Sequence, residues 1–204
     1  MFEPISLFSI DVHKVYVEEW SEHKDRMLSY MTDGYGDKTI SFTDYFTYIS
    51  QGQYPPYRNE FLELMGKYVE QYLQYMKKLG HSVNTKDPNG TYNFSKIEGP
   101  WCQKYKSGDY HAPHDHGSIG WSCVLYAKMN PEVHPSTHFF SPFTNHLGVK
   151  ENRMVRVDEG DLIIFPASLM HMAPPHYSET EERIIISFNI NLEGVWNDKL
   201  GSNI

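Results

Sequence analysis

Three histidines and an aspartate lie within six residues of the stretch HAPHDHGSIGWS, residues 111–122. On a regular β-strand alternate side chains share a face, so His114 and His116 would point to the same side. His111 and Asp115 would then point to the other side. Two imidazoles at this spacing can bind one metal ion, because neutral imidazole is a common ligand of iron, zinc, copper and nickel. The same motif also occurs in polar loops, and by itself it does not establish a metal site.

A further histidine follows an apolar strand and a proline turn in the segment EGDLIIFPASLMHMAPPH. This residue, His171, stands between Met170 and Met172, which predicts an apolar environment. A buried imidazole needs a hydrogen bond or a metal ion, because an unpaired polar group is costly to bury. His171 is therefore a candidate third ligand.

The strand RIIISFNI, residues 183–190, has one wholly apolar face and one face with polar residues. Arg183, Ser187 and Asn189 lie on this second face, a pattern typical of a pocket lining. A guanidinium in such a pocket suits a bidentate contact with a carboxylate. The alternative is an exposed edge arginine paired with a glutamate of the preceding SETEER stretch.

Two helices and a series of strands must position these side chains. Helices are predicted over residues 16–31 and 58–80, and in the second helix apolar residues recur at steps of three and four. That face is expected to pack against a sheet. Near residue 90 the pattern changes to short β-like runs separated by Gly, Pro and Asn, which predicts a mainly β fold with helices over an outer face. The predicted strands are 93–105, 110–116, 121–128, 137–141, 153–158, 161–165, 169–173 and 183–191.

The turn DEG at residues 158–160 predicts a hairpin between RMVRV and DLIIF. Cys102 and Cys123 each lie in an apolar segment, which predicts two buried thiols rather than a disulfide.

The composition limits the classes of function. The chain has 204 residues, 40% of them hydrophobic, with a net charge of -8, as expected for one globular domain. It has no Lys/Arg block that would indicate nucleic acid or an anionic membrane as a partner. Its apolar stretches are too short to span a bilayer. The N-terminal sequence does not resemble a secretory signal, so we expect an intracellular protein.

Together these motifs resemble the 2-oxoglutarate/Fe(II)-dependent oxygenase superfamily, and within it a bacterial and phage group with an HxH…H…R pattern. The matching blocks are HAPHDH at 111–116, SCVLYA at 122–127, GDLIIFPASLMH at 160–171 and RIIISFN at 183–189. They follow the order of that group. Each block alone is unspecific, whereas the combination is specific.

The resemblance implies a double-stranded β-helix (jelly-roll, cupin-like) core and a role for each matched position. The implied iron ligands are His114, His116 and His171. Arg183 would bind the distal carboxylate of the co-substrate 2-oxoglutarate, and Ser187 is a weaker candidate for the same contact. The wider superfamily has a carboxylate two residues after the first histidine, where this chain has a histidine. A bulge could instead recruit the adjacent aspartate as a ligand, and both arrangements remain open.

The implied function is that of a non-haem Fe(II)- and 2-oxoglutarate-dependent dioxygenase that hydroxylates an unidentified small-molecule or peptide substrate. The implied location is the cytoplasm, including that of a phage-infected bacterial host. We expect one domain, with helical support over 1–90, the jelly-roll over 91–191 and a tail at 192–204. One alternative is a three-histidine dioxygenase that does not use 2-oxoglutarate, favoured if Arg183 does not face the metal. Another is a non-enzymatic metal-binding module, favoured by a closed four-ligand site.

Overall fold

The computed structural model describes residues 9–31, 41–80 and 97–191. Within these ranges the helices are α1 (Trp20–Ser29) and α2 (Arg58–Lys78), with a 3-10 turn at Ile49–Gln51. The strands are β1 (His13–Tyr16), β2 (Phe42–Thr43), β3 (Ile97–Tyr105), β4 (His111–His114), β5 (Trp121–Lys128), β6 (His138–Thr144), β7 (Lys150–Met154), β8 (Asp161–Pro166), β9 (His171–Ala173) and β10 (Arg183–Ile190). The prediction of a mainly β fold with two helices is confirmed. The change of pattern near residue 90, the first residues of the predicted strand 93–105 and the tail lie outside the described residues.

The strands form two antiparallel sheets. The larger sheet has the order β1-β8-β5-β10-β3-β2, and the smaller sheet has the order β4-β9-β6-β7. Consecutive strands from β3 onward mostly alternate between the two sheets. The sheets face each other, since side chains from both share one apolar cluster that includes Phe139 of the smaller sheet and Phe165 of the larger.

The predicted hairpin at 158–160 is wrong. β7 pairs with β6 in the smaller sheet, whereas β8 pairs with β1 and β5 in the larger sheet. The physical reason is burial: β7 is exposed along its whole length at a sheet edge, while β8 is almost wholly buried and needs a partner on both sides. Gly160 turns the chain between the sheets at a positive φ of 88°, and its N–H donates to the carbonyl of Tyr126.

Helix α2 packs across the outer face of the larger sheet, as its apolar periodicity predicts. The residues at the predicted spacing are all buried: Phe61, Met65, Tyr68, Tyr72 and Met76. The Phe61 ring meets Phe188 of β10 edge to face, with 5.4 Å between centroids. In the described ranges, neither helix combines the length and the apolar character needed to cross a membrane.

The larger sheet packs one set of side chains against the helices and another set against the smaller sheet. On β8, Leu162 and Ile164 join the helices in one core, whereas Ile163 and Phe165 face the smaller sheet. This alternation follows from the two-residue period of a strand. Cys123 of β5 lies on the helix side, and its thiol and that of Cys102 are buried and free, which confirms the prediction of two buried thiols.

Candidate metal centre and active site

The three predicted metal ligands converge between the two sheets. His114 ends β4 and His171 begins β9, and the two residues are directly paired across these strands. His116 follows β4, where its N–H donates to the carbonyl of Ala167 at 2.8 Å. One ligand nitrogen from each imidazole lies within 4.8 Å of the others. The turn after β4, rather than a continuing strand, thus brings His116 to the other two.

Backbone carbonyls orient two of these imidazoles. Nδ1 of His114 lies 2.8 Å from the carbonyl oxygen of Ala112. Nδ1 of His171 lies at the same distance from the carbonyl oxygen of Leu169. A carbonyl can only accept, so each Nδ1 carries a proton and each Nε2 is left as the metal donor.

Burial keeps the three imidazoles neutral at neutral pH. It lowers the pKa of His171 to about 3 and that of His116 to about 4, because desolvation penalises the charged ring. Burial also lowers the pKa of His114. Neutral imidazoles have the free lone pair that a metal requires, and three of them suit a divalent transition metal such as Fe(II). The donor set therefore fits iron.

The structure corrects the orientation predicted for His111. Its ring stacks on that of His114, with 4.0 Å between centroids, instead of pointing away from it. The cause is a register irregularity in β4 between these two residues, which breaks the alternation of a regular strand. Gln103 Nε2 lies 3.0 Å from His111 Nδ1. His111 was missed as a site residue, and its closeness in sequence to the HxH motif was the only signal for it.

Asp115 lies apart from the ligand group. Among the described residues, the histidines His114, His116 and His171 form the group that could hold a metal, and Asp115 is not a member. Its side chain is exposed, and its Oδ1 accepts a hydrogen bond from the Gly117 N–H at 3.0 Å.

A cavity of about 340 Å³ opens beside the histidines, between the two sheets. The larger sheet contributes Trp101 and Tyr105 of β3 together with Ser187 and Asn189 of β10. Two residues of the polar face of β10, Ser187 and Asn189, therefore line a pocket, as the sequence pattern indicates. Its volume lies at the lower end of the range for ligand sites in proteins.

Arg183 is buried behind one wall of this cavity. Only 1% of its surface is exposed, and its Cζ lies 4.3 Å from the centroid of the Tyr105 ring. Its Nη1 donates to the carbonyl of Pro135, and its Nη2 donates to that of Pro174 at 2.9 Å. Tyr105 lines the cavity, whereas Arg183 is not among the lining residues.

The guanidinium of Arg183 carries a buried positive charge without an acidic partner in the described part of the chain. Its Nε is buried and makes no hydrogen bond there. The alternative pairing with the SETEER stretch is not formed by Glu181, whose carboxylate accepts from Asn130 Nδ2 instead. Burial lowers the pKa of Arg183, an effect that the nearby Tyr105 and Tyr126 partly oppose.

Several solved structures resemble parts of this chain. An oxidoreductase of the 2OG-Fe(II) oxygenase family from Burkholderia pseudomallei is 10% identical, with a TM-score of 0.38, over 48% of this chain and 44% of that one. This chain thus matches less than half the length of the Burkholderia protein. A Pseudomonas putida prolyl-4-hydroxylase is 17% identical, with a TM-score of 0.47, over 91% and 95% of the two chains. Vicilin from Corylus avellana (hazelnut) is 13% identical, with a TM-score of 0.35, over 46% and 23%.

No curated protein matches the sequence. A family model described as "Putative 2OG-Fe(II) oxygenase" matches residues 99–189. That segment contains most of β3, all of β4 to β9 and nearly all of β10, and with them the three histidines, Arg183 and Ser187. Residues 99–189 of this chain are thus similar to the 2OG-Fe(II) oxygenase family, whose cofactors are Fe(II) and 2-oxoglutarate.

Proposed function

We propose that this chain is an Fe(II)- and 2-oxoglutarate-dependent dioxygenase that hydroxylates a small-molecule or peptide substrate. The observation that carries the proposal is the convergence of three neutral histidines at the wall of a cavity. His114, His116 and His171 would hold the iron, the first two as the HxH pair and the third from the facing strand. When bound, iron and 2-oxoglutarate supply the oxidising chemistry.

A group of three ligands beside a cavity suits a reactive centre better than a structural one. A structural metal site usually has four protein ligands, whereas a catalytic site keeps positions for exogenous molecules. His114 and His171 would be held in place by the carbonyls that accept from their Nδ1 atoms. The chain would thereby fix the ligand geometry before the metal binds.

We further propose that the two sheets form the jelly-roll of a single domain, with residues 1–90 as helical support, 91–191 as the core and 192–204 as a tail. The antiparallel pairing and the alternation of strands between sheets support this architecture. Two buried free thiols fit a reducing compartment such as the cytoplasm. The net charge of -8 makes nucleic acid a poor substrate.

Arg183 is our candidate anchor for the distal carboxylate of 2-oxoglutarate, with Ser187 as a weaker contact. A buried guanidinium that meets backbone carbonyls and an aromatic ring, but no acidic group, retains an uncompensated charge, which is costly. A carboxylate is a stronger acceptor than a neutral carbonyl. An anionic co-substrate at the Tyr105 side of the cavity would therefore stabilise the arginine and be stabilised by it.

An anaerobic titration with Fe(II) and 2-oxoglutarate tests the binding of the metal and of the co-substrate together, because their complex should produce a weak visible charge-transfer band. By calorimetry, Arg183→Ala should weaken 2-oxoglutarate binding by roughly two powers of ten or more, while Fe(II) binding stays nearly intact. Arg183→Lys should restore only part of the affinity, since an ammonium lacks the planar fork. Arg153→Ala is the matched control, because Arg153 is an exposed residue of β7.

A three-histidine dioxygenase that does not use 2-oxoglutarate is the second candidate. One observation favours it: Arg183 is not among the residues that line the cavity. This candidate predicts that the wild-type protein binds Fe(II) but shows no 2-oxoglutarate binding in the same titration. Unchanged co-substrate affinity in Arg183→Ala would remove Arg183 as the anchor.

A further inference from the structure

The mouth of the cavity combines carboxylates with aromatic rings. We define the cavity mouth as Glu98, Asp115, Tyr45, Phe46 and Trp101, all of which line the cavity. From this juxtaposition, and resting on the proposed function, we propose that the enzyme selects a substrate with a cationic group, an ammonium or a guanidinium, bound at this mouth.

The two carboxylates of the mouth have no cationic partner in the described part of the chain. Glu98 is half-buried and accepts a hydrogen bond from Asn189 Nδ2 at 3.1 Å. Asp115 accepts a hydrogen bond from the Gly117 N–H. Neither Lys nor Arg is found among the described residues that line the cavity. Their negative charges are therefore available to a ligand, and low-dielectric walls strengthen the attraction of a cation.

Aromatic rings extend from the protein surface to a metal ligand. Phe46 is 57% exposed, and its ring meets Tyr45 edge to face with 5.5 Å between centroids. Tyr45 meets Trp101 in the same way at 5.4 Å. The Trp101 ring lies 6.0 Å from that of His116. Aromatic faces attract ammonium and guanidinium groups, so this wall suits a cation on its way to the metal site.

Asn189 gives independent support for a hydrogen-bond donor at the mouth. This residue lines the cavity and is only 7% exposed, and its Oδ1 has no partner among the described residues. The Nδ2 group donates to Glu98, which fixes the orientation of the amide and leaves Oδ1 as an acceptor. The strand register also pairs Asn189 with Glu98. An N–H donor of the substrate would satisfy this oxygen.

Groups of opposite charge lie towards the two ends of β10. Arg183 is paired with Tyr105 of β3, whereas Asn189 is paired with Glu98. The two positions are six residues apart on β10, which corresponds to about 20 Å of strand. The anionic co-substrate would thus bind towards the arginine and the cationic substrate group towards the carboxylates. An anionic substrate would be repelled at the mouth, which gives selectivity.

Calorimetry on the protein loaded with Mn(II) and 2-oxoglutarate tests this proposal with three probes. N-acetyl-lysine methylamide represents a residue in a peptide, 1,4-diaminobutane represents a free amine, and N-acetyl-norleucine methylamide is the neutral analogue of the first. At least one cationic probe should bind about tenfold more tightly than the norleucine probe, and less tightly at high salt. The tighter of the two cationic probes identifies the source of the cation.

Variants that remove a negative charge test whether the preference for cationic probes arises at the cavity mouth. Glu98→Gln and Asp115→Asn should each reduce the preference for a cationic probe several-fold. Glu132→Gln removes the same charge from an exposed position outside the cavity and should leave the preference unchanged. Equal affinity for all probes, no binding of any cationic probe, or an unchanged preference in the variant that carries both Glu98→Gln and Asp115→Asn would overturn the proposal. Failure of the wild-type protein to bind Mn(II) and 2-oxoglutarate in the loading step would instead count against the proposed function.

Discussion

At the scale of single residues, three imidazoles lie close together, while the arginine expected beside them is buried behind an aromatic ring. The HxH motif and His171 were found from residue type and spacing, and the structure brings all three together. The stacking of His111 on His114 was not predictable, because it depends on a register irregularity in β4. The position of Arg183 behind Tyr105 depends on two distant backbone carbonyls, which no local pattern shows.

Alanine variants of the three histidines test the metal assignment. Each single replacement of His114, His116 or His171 by alanine should reduce Fe(II) affinity by at least tenfold. Losing a ligand should reduce the affinity at least as much as losing a group that orients a ligand. His111→Ala and Asp115→Ala are the controls and should have smaller effects, because these side chains are outside the ligand group. The measurement is anaerobic Fe(II) binding. Near-wild-type affinity in His171→Ala would contradict the assignment, and loss of iron in Asp115→Ala would favour the aspartate as a ligand.

At the scale of elements, periodicity predicted α2 and the two faces of β10 because burial imposes both patterns. The residues of α2 that recur at steps of three and four are buried, and the apolar face of β10 packs against this helix. Pairing could not be predicted in the same way. A DEG turn shows that the chain reverses there, but whether the flanking strands then pair depends on which sheet each strand joins.

Two glycines that follow the candidate metal ligand His116 should differ in their tolerance of a side chain. Both have a positive φ, 100° at Gly117 and 94° at Gly120, so alanine is strained at either position. A Cβ at Gly120 would also lie 2.3 Å from the carbonyl oxygen of Ile190, whereas at Gly117 it would meet open space. Gly117→Ala should cost about 1–2 kcal/mol of unfolding free energy, and Gly120→Ala should cost clearly more. Urea denaturation measures the unfolding free energy of both variants. Equal losses of unfolding free energy would show that the contact with Ile190 adds nothing to the cost of the positive φ.

At the scale of the whole molecule, the helices, the larger sheet and the smaller sheet form three layers. We expect this layering to separate the residues that stabilise the fold from those at the candidate site. The helices pack on one face of the larger sheet and form one core, while the cavity and the second core lie between the two sheets. Sequence reasoning predicted the helical cover and the mainly β fold from composition and period. It could not predict the division of strands between sheets, because most successive strands from β3 onward change sheet and the contacts that decide each pairing are distant in sequence.

This layering predicts that two equally buried phenylalanines differ in their effect on the metal site. Phe61 of α2 and Phe165 of β8 are both fully buried, and replacing either by alanine should lower the unfolding free energy by about 3–5 kcal/mol. The Phe165 ring lies 4.7 Å from the ring of His171, whereas Phe61 packs on Phe188 on the opposite face of the sheet. Fe(II) affinity should therefore fall in Phe165→Ala and stay near the wild-type value in Phe61→Ala.

The unfolding free energy and the Fe(II) affinity must be measured separately, because a bound metal stabilises the folded state by mass action. Urea unfolding of the metal-free protein gives the packing contribution of each phenylalanine, and anaerobic Fe(II) titration at low temperature, where both variants are folded, gives the affinity. If Phe61→Ala lost as much affinity as Phe165→Ala at equal loss of stability, the larger sheet would transmit changes from the helices to the ligands. The separation of stability from chemistry would then be wrong, because the helical layer would help to hold the imidazoles in place.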